Sequence, residues 1–260
     1  MNESIVEYST DNGVATITLN RPDTLNAMNS KLMEGISERI SRVEEDKDVR
    51  VVIITGAGRG FCAGADLSDA ATAREPNNDS MVDVFNPALR AVHNCPVPTV
   101  ARINGPAAGG GMGLALACDI VIAAKSAFFV ATFGPRLGIV PDLGSTWTLP
   151  RSLGRSRAIA TAMLGDRIPA ETAEGWGLIW KSVADNDLDA EVAKITSRLK
   201  MTSSEAMVRI RQSIDAAPRN SFSDQLDLET HHQGFLIPRN MQEGAAAFME
   251  KREPTFKARD

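Results

Sequence analysis

The sequence predicts a single α/β domain with a helical C-terminal region. Short apolar runs alternate with helical patterns over the first part of the chain, and the pattern becomes mainly helical beyond Gly154. No internal repeat, low-complexity segment or linker divides the chain. Strands that alternate with helices are typical of an α/β core. We therefore expect residues 1–200 to form that core and residues 201–260 to form the helical region.

The composition is that of an ordinary globular protein, because 43% of the 260 residues are hydrophobic and 23% are charged. A formal net charge of -5 gives no electrostatic reason to expect nucleic acid or an anionic membrane as a partner. Three cysteines without a C-x-x-C pair, and three histidines, predict neither disulfides nor a metal site. With no apolar signal core and no membrane-length apolar run, we expect a cytoplasmic protein.

The first predicted elements are a hairpin and a helix. The run Val14–Leu19 has the apolar and β-branched content of a strand, and Asn12-Gly13 predicts a turn that pairs it with residues 5–8. Ser30 is a suitable N-cap for the helix that follows. Along that helix, four apolar residues recur at the spacing of one buried face: Met33, Ile36, Ile40 and Val43.

Two predicted strands are each followed by a glycine-rich stretch. The runs at residues 49–55 and 98–103 are short, and the first is almost wholly apolar, as expected of a strand covered on both faces. The glycine-rich stretches lie at residues 56–64 and 105–113, and the second leads into a helix. Such turns expose N–H groups that suit a phosphate or a developing oxyanion, although glycines also serve tight turns and close packing alone. Two such turns in one chain favour a shared anion site.

The remaining segments predict a loop, two strands and a series of helices. Residues 68–80 are polar and predict a mobile loop. Residues 82–92 predict a helix that Pro87 kinks or splits. Strands follow at Ile120–Ala124 and at residues 178–183. Further helical patterns fall at residues 192–199, 206–214, 222–230 and 241–249.

Several short motifs are spaced along the chain in a distinctive order. They are Asn20-Arg21-Pro22 with Asn26-Ala27-Met28, GFCAGADL at residues 60–67, NGPAAGGG at residues 104–111, and Cys118-Asp119-Ile120. Together they resemble the enoyl-CoA hydratase/isomerase (crotonase) superfamily, and the similarity extends nearly end to end, including Phe256-Lys257. Residues 137–151 and 174–180 resemble more narrowly the members that isomerise a ring epoxide of phenylacetyl-CoA.

The resemblance implies a crotonase-like spiral of ββα turns, which C-terminal helices at residues 201–260 assemble into homotrimers or homohexamers. It implies an acyl-CoA substrate, so that coenzyme A is part of the substrate and no separate cofactor is expected. The N–H groups of Ala65 and Gly110 would form the oxyanion hole. The resemblance further implies coenzyme A contacts from seven residues, the last two reaching a neighbouring subunit: Ala27, Ala63, Asp66, Leu67, Ser68, Phe256 and Lys257.

Carboxylates distinguish the reactions that this family performs. By the resemblance, the two glutamates that hold water in a hydratase fall at Gly113 and Gly134, and glycine has no side chain to move a proton. Asp142 remains, and a single carboxylate can take a proton from one carbon and return it to another. The sequence therefore predicts isomerisation of a ring epoxide or a double bond in a CoA thioester, through an enolate held in the oxyanion hole.

Other readings of the same residues stay open at this point. A hydratase with displaced acids and a non-catalytic acyl-CoA-binding subunit are both compatible with the two glycines. Asp142 has an alternative role as the N-cap of the next helix, and Asp66 as the acceptor of a turn-stabilising Asx hydrogen bond. The resemblance favours catalysis for Asp142, whose pKa we expect to be raised by a dry, apolar pocket.

Overall fold

A parallel sheet with one antiparallel hairpin organises the structure, a computed structural model that describes residues 4–68 and 81–259. Within these residues the main sheet has six strands in the order β1-β2-β3-β4-β6-β9. The first two strands pair antiparallel and the later pairings are parallel. The strands are β1 (Val6–Asp11), β2 (Val14–Leu19), β3 (Val51–Gly56), β4 (Thr99–Ile103), β6 (Ile120–Ala124) and β9 (Lys181–Val183).

A second, smaller sheet joins β5 (Ala107–Ala108), β7 (Phe128–Val130) and β8 (Ile168–Pro169). The sequence analysis did not predict it, because strands of two or three residues are too short to show a hydrophobic period. β5 pairs parallel with β7, and β7 pairs antiparallel with β8. The small sheet thus holds the second glycine-rich stretch against the middle of the chain.

Helices cover the main sheet and fill the C-terminal region, which confirms the predicted α/β class. The described residues include α1 (Ser30–Glu45), α2 (Asn86–His93), α3 (Gly110–Leu116), α4 (Ser145–Leu164), α5 (Ala170–Trp176), α6 (Leu188–Lys200), α7 (Ser204–Ala216) and α8 (Phe222–Glu250). A π-helical turn at Met81–Phe85 runs into α2, so Pro87 lies in the first turn of that helix rather than kinking its middle.

The predicted buried face of α1 is confirmed, since all four of its apolar positions are at most 1% exposed. The predicted cap is wrong by one residue. Asn29, not Ser30, is the N-cap: its backbone is extended and its side chain accepts a hydrogen bond from the N–H of Leu32 at 3.0 Å. Starting the helix at Ser30 places Leu32 and Met33 in its first turn, where both are buried.

Two helices differ from the patterns that predicted them. Helix α4 begins at Ser145, earlier than expected, and Gly154 interrupts its helical dihedrals with φ 71° and ψ 165°. The two patterns at residues 222–230 and 241–249 belong to one helix, α8, which continues through Pro238. A proline removes one amide donor, and the packing of α8 along α7 maintains the helix across that position.

The parallel register decides where the two glycine-rich stretches meet. β3 and β4 are neighbours in the centre of the sheet, with Thr55 opposite Arg102. Both strands are almost wholly buried, as the apolar run of β3 predicted. Because parallel strands end at the same edge of a sheet, the stretches that follow Gly56 and Ile103 leave from one edge. A site built from both is therefore a consequence of the topology.

Candidate active site

The two glycine-rich stretches touch each other directly. Isolated parallel bridges join Cys62 to Ala107 and Met28 to Ala65. Gly64 has a left-handed φ of 91°, and a Cβ atom there would lie 2.8 Å from the carbonyl oxygen of Ala108. Only glycine combines this dihedral with this close approach. The first stretch is therefore held with its last turn against the entrance to α3.

Two backbone amides near the contact between the stretches lack an acceptor within residues 4–68 and 81–259: that of Ala65, directly after the first stretch, and that of Gly110, within the second. Met28 donates its N–H to Gly64 and accepts from the N–H of Asp66, so the N–H of Ala65, between them, points to the other side. Gly110 is the first residue of α3, whose first N–H groups have no helical acceptor. Among the described residues neither amide has a hydrogen-bond partner.

Both residues line one cavity of about 290 Å³, which we call the front cavity. The position of the amide of Gly110 agrees with this, because it lies 3.4 Å from the place that a Cβ atom on Gly64 would take. Two free N–H groups on one cavity wall are suited to an oxygen that gains negative charge. The structure thus brings together the two residues that the sequence assigned to an oxyanion hole.

Asp142 lines the same cavity, and its side chain does not cap α4. The N-cap of that helix is Gly144, with φ 79°, and the N–H of Ser145 bonds to the backbone carbonyl of Asp142 at 2.9 Å. The N-cap alternative for Asp142 is therefore wrong. Burial raises the pKa of the Asp142 carboxyl, as expected, and a hydrogen bond from its own backbone opposes this only in part.

The walls of the front cavity are mainly apolar. Among the described residues that line it, Asp142 and Arg136 alone carry charge. The apolar lining comes from the turn before α2, from a second π-helical turn at Phe133–Leu137, and from the residues after it: Met81, Phe85, Phe133, Leu137, Ile139 and Leu143. An apolar lining explains the raised pKa, because it hydrates a carboxylate poorly.

The two positions where the resemblance places the glutamates of a hydratase are glycines, and one of them has no room for a side chain. A Cβ atom on Gly113 would lie 2.6 Å from the carbonyl oxygen of Leu143 and 3.0 Å from its Cβ atom. Leu143 itself has a left-handed φ of 49° and is 6% exposed. At Gly134 a Cβ atom would meet the carbonyl oxygen of Ala162 at 3.1 Å. The backbone at Leu143 thus occupies the volume that a side chain at residue 113 would need.

The residues expected to line the coenzyme A channel divide into two groups. Ala63 and Leu67 line the front cavity, and Leu67 is 57% exposed. Asp66 instead accepts hydrogen bonds from the N–H of Ser68 at 3.2 Å and from its hydroxyl at 2.6 Å, as its Asx alternative predicted. Hydrogen bonds from Ser68 and then Arg21 lower the pKa of the Asp66 carboxyl.

Arg21 and Asn26 hold the backbone around Ala27, Gly60 and Asp66 in place, a role that no sequence pattern predicted. The Arg21 guanidinium donates to the carbonyl oxygen of Ala27 and to Asp66, the latter at 2.8 Å. Asn26, with φ 59° and no exposed surface, accepts from the N–H of Arg21 and donates to the carbonyl of Gly60. Both residues lie in sequence motifs that indicated the family, but those motifs did not predict which groups the two side chains contact.

Phe256 and Lys257 lie far from the front cavity of their own chain. Arg50, which immediately precedes β3, donates to their carbonyl oxygens at 3.4 and 3.3 Å. The glycine-rich stretch follows the other end of β3, so the strand separates the two sites by roughly 20 Å, at about 3.3 Å per residue. A role for this pair at the site of a neighbouring subunit stays a prediction. The predicted loop at residues 68–80 lies outside the described residues, except for Ser68.

The histidines and Asp119 are engaged elsewhere. His93 contacts Asp215 at 3.3 Å, and the His232 ring bonds to the Ser213 hydroxyl at 2.9 Å. Asp119 accepts from Thr99 and pairs with Arg211, a structural role. Among residues 4–68 and 81–259, no three His, Cys, Asp or Glu side chains converge as metal ligands would. No helix in that part of the chain combines the length and apolar character needed to cross a membrane.

Comparison with known proteins gives one consistent result. The profile of the enoyl-CoA hydratase/isomerase family matches residues 9–259. The chain is 42% identical over 251 residues to 1,2-epoxyphenylacetyl-CoA isomerase of Escherichia coli (strain K12), covering 95% of each protein. It is 38% identical over 260 residues to a probable enoyl-CoA hydratase of Rhodobacter capsulatus, covering 100% of both.

Solved structures agree on the fold. The crystal structure of enoyl-CoA hydratase from Bacillus anthracis superposes with a TM-score of 0.92 at 32% identity, covering 98% of this chain and 100% of that one. An enoyl-CoA hydratase from Polaromonas sp. JS666 gives a TM-score of 0.91 at 31% identity, with 97% and 99% covered. These matches confirm the crotonase-like fold that the sequence motifs implied. The chain therefore belongs to the enoyl-CoA hydratase/isomerase family.

Proposed function

We propose that this family member is an acyl-CoA isomerase that moves a double bond, or rearranges a ring epoxide, through a thioester enolate. The observation that carries the proposal is the pairing of Asp142 with the two free amides in one apolar cavity, next to a residue 113 that has no room for a glutamate. One carboxylate in that place can shuttle a proton, and among the lining residues that the structure describes there is no second acid to hold and split water.

Asp142 and the two amides are sufficient for isomerisation of an unsaturated acyl thioester, because the proton that is removed is also returned. The Asp142 carboxylate removes a proton from the α carbon of a 3-enoyl thioester, and the electron pair moves onto the carbonyl oxygen. The N–H groups of Ala65 and Gly110 stabilise that oxyanion. The protonated Asp142 then returns the proton to the γ carbon, which leaves a conjugated 2-enoyl thioester and restores the carboxylate.

Typical contributions to rate are consistent with separate roles for the carboxylate and the two amides. A positioned general base contributes about 10² to 10⁴-fold to rate. Each oxyanion donor contributes roughly 10² to 10³-fold. The raised pKa of Asp142 also helps, because a carboxylate of higher pKa is a stronger base towards carbon.

The ring-epoxide substrate rests on similarity. The E. coli relative at 42% identity is named 1,2-epoxyphenylacetyl-CoA isomerase, and residues 137–151 resemble that group. A phenylacetyl epoxide thioester has the same carbonyl for the two amides to hold. The apolar lining, which includes Phe85 and Phe133, is compatible with a ring-bearing acyl group.

Hydration is the second candidate, because the R. capsulatus relative at 38% identity is named a probable enoyl-CoA hydratase. Two ultraviolet assays of the conjugated thioester separate the reactions. With 3-hexenoyl-CoA we expect the absorbance to rise; with crotonyl-CoA we expect no rapid loss. Fast loss with crotonyl-CoA and no rise with 3-hexenoyl-CoA would favour hydration. Binding of coenzyme A esters without turnover of these or of the ring epoxide would favour a non-catalytic binding subunit.

We further propose that residues 201–260 assemble the chain into homotrimers or homohexamers. In support, α7 and α8 expose large apolar side chains: Ile214 is 66% exposed, Phe222 81%, Phe248 82% and Met249 79%. Light scattering should then give three or six times the chain mass of 27.9 kDa. A cytoplasmic location stays a prediction.

A further inference from the structure

Leu143 lines the front cavity and also a second one, which we call the rear cavity. This rear cavity has a volume of about 510 Å³ and lies between α2, α3 and α4. Its lining includes Gly113, Leu89, Leu116 and Trp147. Leu143 is the single residue, among those that the structure describes, that lines both cavities. Leu143 therefore lies at the boundary between the two spaces.

Leu143 packs against bare backbone on one face of α3. A Cβ atom on Gly110 would lie 2.6 Å from a terminal methyl carbon of Leu143, and one on Gly113 would lie 3.0 Å from its Cβ atom. The side chain thus packs against the α3 backbone at two glycines. Asp142 precedes it and Gly144, the N-cap of α4, follows it, so the proposed base and the partition share one short turn.

We propose that Leu143 determines specificity by closing the acyl end of the front cavity, so that the enzyme accepts compact or ring-bearing acyl groups and rejects long chains. This inference rests on the proposed isomerase function, because it takes the front cavity as the acyl site. Its volume of about 290 Å³ is just below the about 300–1,000 Å³ that small-molecule sites span. The two cavities joined would lie well inside that range.

The lining of the rear cavity determines what the loss of Leu143 would admit. Leu89, Leu116 and Trp147 offer apolar surface next to the partition. Charged groups of the same cavity include Arg90, Arg219 and the His93–Asp215 pair. An alkyl chain entering from the front would therefore find apolar contacts. Opening the wall should favour acyl groups with several more methylenes.

The test compares wild-type protein with Leu143→Ala and with Leu89→Ala. Leu89 lines only the rear cavity and is 8% exposed, so its truncation enlarges that space and leaves the partition intact. kcat/KM is measured on 3-enoyl-CoA thioesters with acyl chains from six to twelve carbons. Since one methylene in an apolar pocket changes kcat/KM by about 10- to 200-fold, we expect Leu143→Ala to raise the long-to-short ratio at least about tenfold. Leu89→Ala should leave that ratio unchanged.

Binding of saturated acyl-CoA esters of the same lengths is measured in parallel, since it does not depend on turnover. If wild type converts no thioester but Leu143→Ala gains affinity for long chains, the isomerase proposal fails and the partition stands. If Leu143→Ala folds but shows the wild-type dependence on acyl-chain length in both assays, the proposed role of Leu143 is wrong. The same conclusion follows if Leu89→Ala changes the long-to-short ratio as much as Leu143→Ala does. Should Leu143→Ala not fold, Leu143→Gly takes its place, because glycine suits the φ of 49°.

Discussion

The carbonyl oxygen of Leu143 lies 2.6 Å from the point where a Cβ atom on Gly113 would stand. This contact joins two features that the sequence shows separately: a glycine where a hydratase would have an acid, and the turn that carries Asp142. A side chain at residue 113 requires that turn to move, and Asp142 would move with it. The position of the Asp142 carboxylate therefore depends on the lack of a side chain at residue 113.

A first prediction follows for Gly113→Ala. The new methyl group meets backbone that cannot yield cheaply, so we expect a loss of about 1–3 kcal/mol in the free energy of unfolding. We also expect lower isomerase activity, because the turn of Asp142 shifts. Denaturant titration and the 3-enoyl-CoA assay measure the two effects. Gly175→Ala is the matched control, since nothing lies within 4 Å of a Cβ atom there. Equal stability of the two variants would contradict the contact.

A second prediction concerns Asp142→Asn. The amide keeps the shape of the side chain and cannot take a proton, so kcat should fall by about 10² to 10⁴-fold. Affinity for a saturated acyl-CoA should stay within a few fold, because the amides of Ala65 and Gly110 are unchanged. Isothermal titration and the ultraviolet assay read the two quantities. Full activity in this variant would remove Asp142 from the mechanism.

The raised pKa of Asp142 gives a third prediction, on pH. Catalysis requires the ionised form, so log kcat/KM should fall on the acid side with a pKa above the roughly 3.9 of a free aspartate. Stability depends on pH in the opposite direction to activity. The folded state holds the Asp142 proton more tightly than the unfolded state, so the protonated carboxyl stabilises the fold at low pH. This stabilisation is lost as pH rises through the folded pKa. Asp142→Asn should therefore be more stable than wild type at neutral pH, with the difference fading below about pH 3.9. Equal stability at neutral pH would contradict the burial effect.

A fourth prediction tests Arg21 as a positioning residue. Arg21→Ala removes the donors that hold the carbonyl of Ala27 and the carboxylate of Asp66, next to the amide of Ala65. Because small displacements of a catalytic group are costly, we expect kcat/KM to fall by about 10- to 100-fold. The pKa of Asp66 should rise in the variant, which NMR titration would show. Arg59→Ala, at an exposed position in the first glycine-rich stretch, is the control and should retain activity. A matching loss in the control would argue against a specific role.

A fifth prediction concerns how the C-terminal segment is attached. Arg259 is 8% exposed and donates to the carbonyl oxygens of Val43 and Asp46 at the end of α1. Hydrogen bonds of a charged donor contribute about 1.5–3 kcal/mol, so Arg259→Ala should lower the free energy of unfolding by about that amount. Arg252→Ala breaks exposed ion pairs to Glu243 and Glu250, which solvent screens, and should lower the free energy of unfolding by clearly less. Guanidinium titrations measure the free energy of unfolding of both variants. A larger decrease for Arg252→Ala than for Arg259→Ala would contradict the role given to Arg259.

Much of the fold was accessible from local patterns. The spacing of Met33, Ile36, Ile40 and Val43 gave the buried face of α1, and Val14–Leu19 gave β2 with its correct ends. Patterns failed where an element was very short, as in β5 and β8, or where two separate helical patterns, at residues 222–230 and 241–249, belong to one helix that continues through Pro238. Period and propensity are local quantities, and they do not include the contacts that maintain a helix across a proline.

The sequence by itself determined the family, the two glycine-rich stretches and the absence of an acid at residues 113 and 134, because residue identity and spacing carry that information. It left open whether Asp142 caps α4 or faces a cavity. Only the tertiary structure decided that, by placing Gly144 at the cap and Asp142 on the lining of the cavity that Ala65 and Gly110 also line. Leu143 had no signal in the sequence at all. Its role depends on which backbone atoms of α3 lie across from it, and this distance is fixed only when the whole chain has packed.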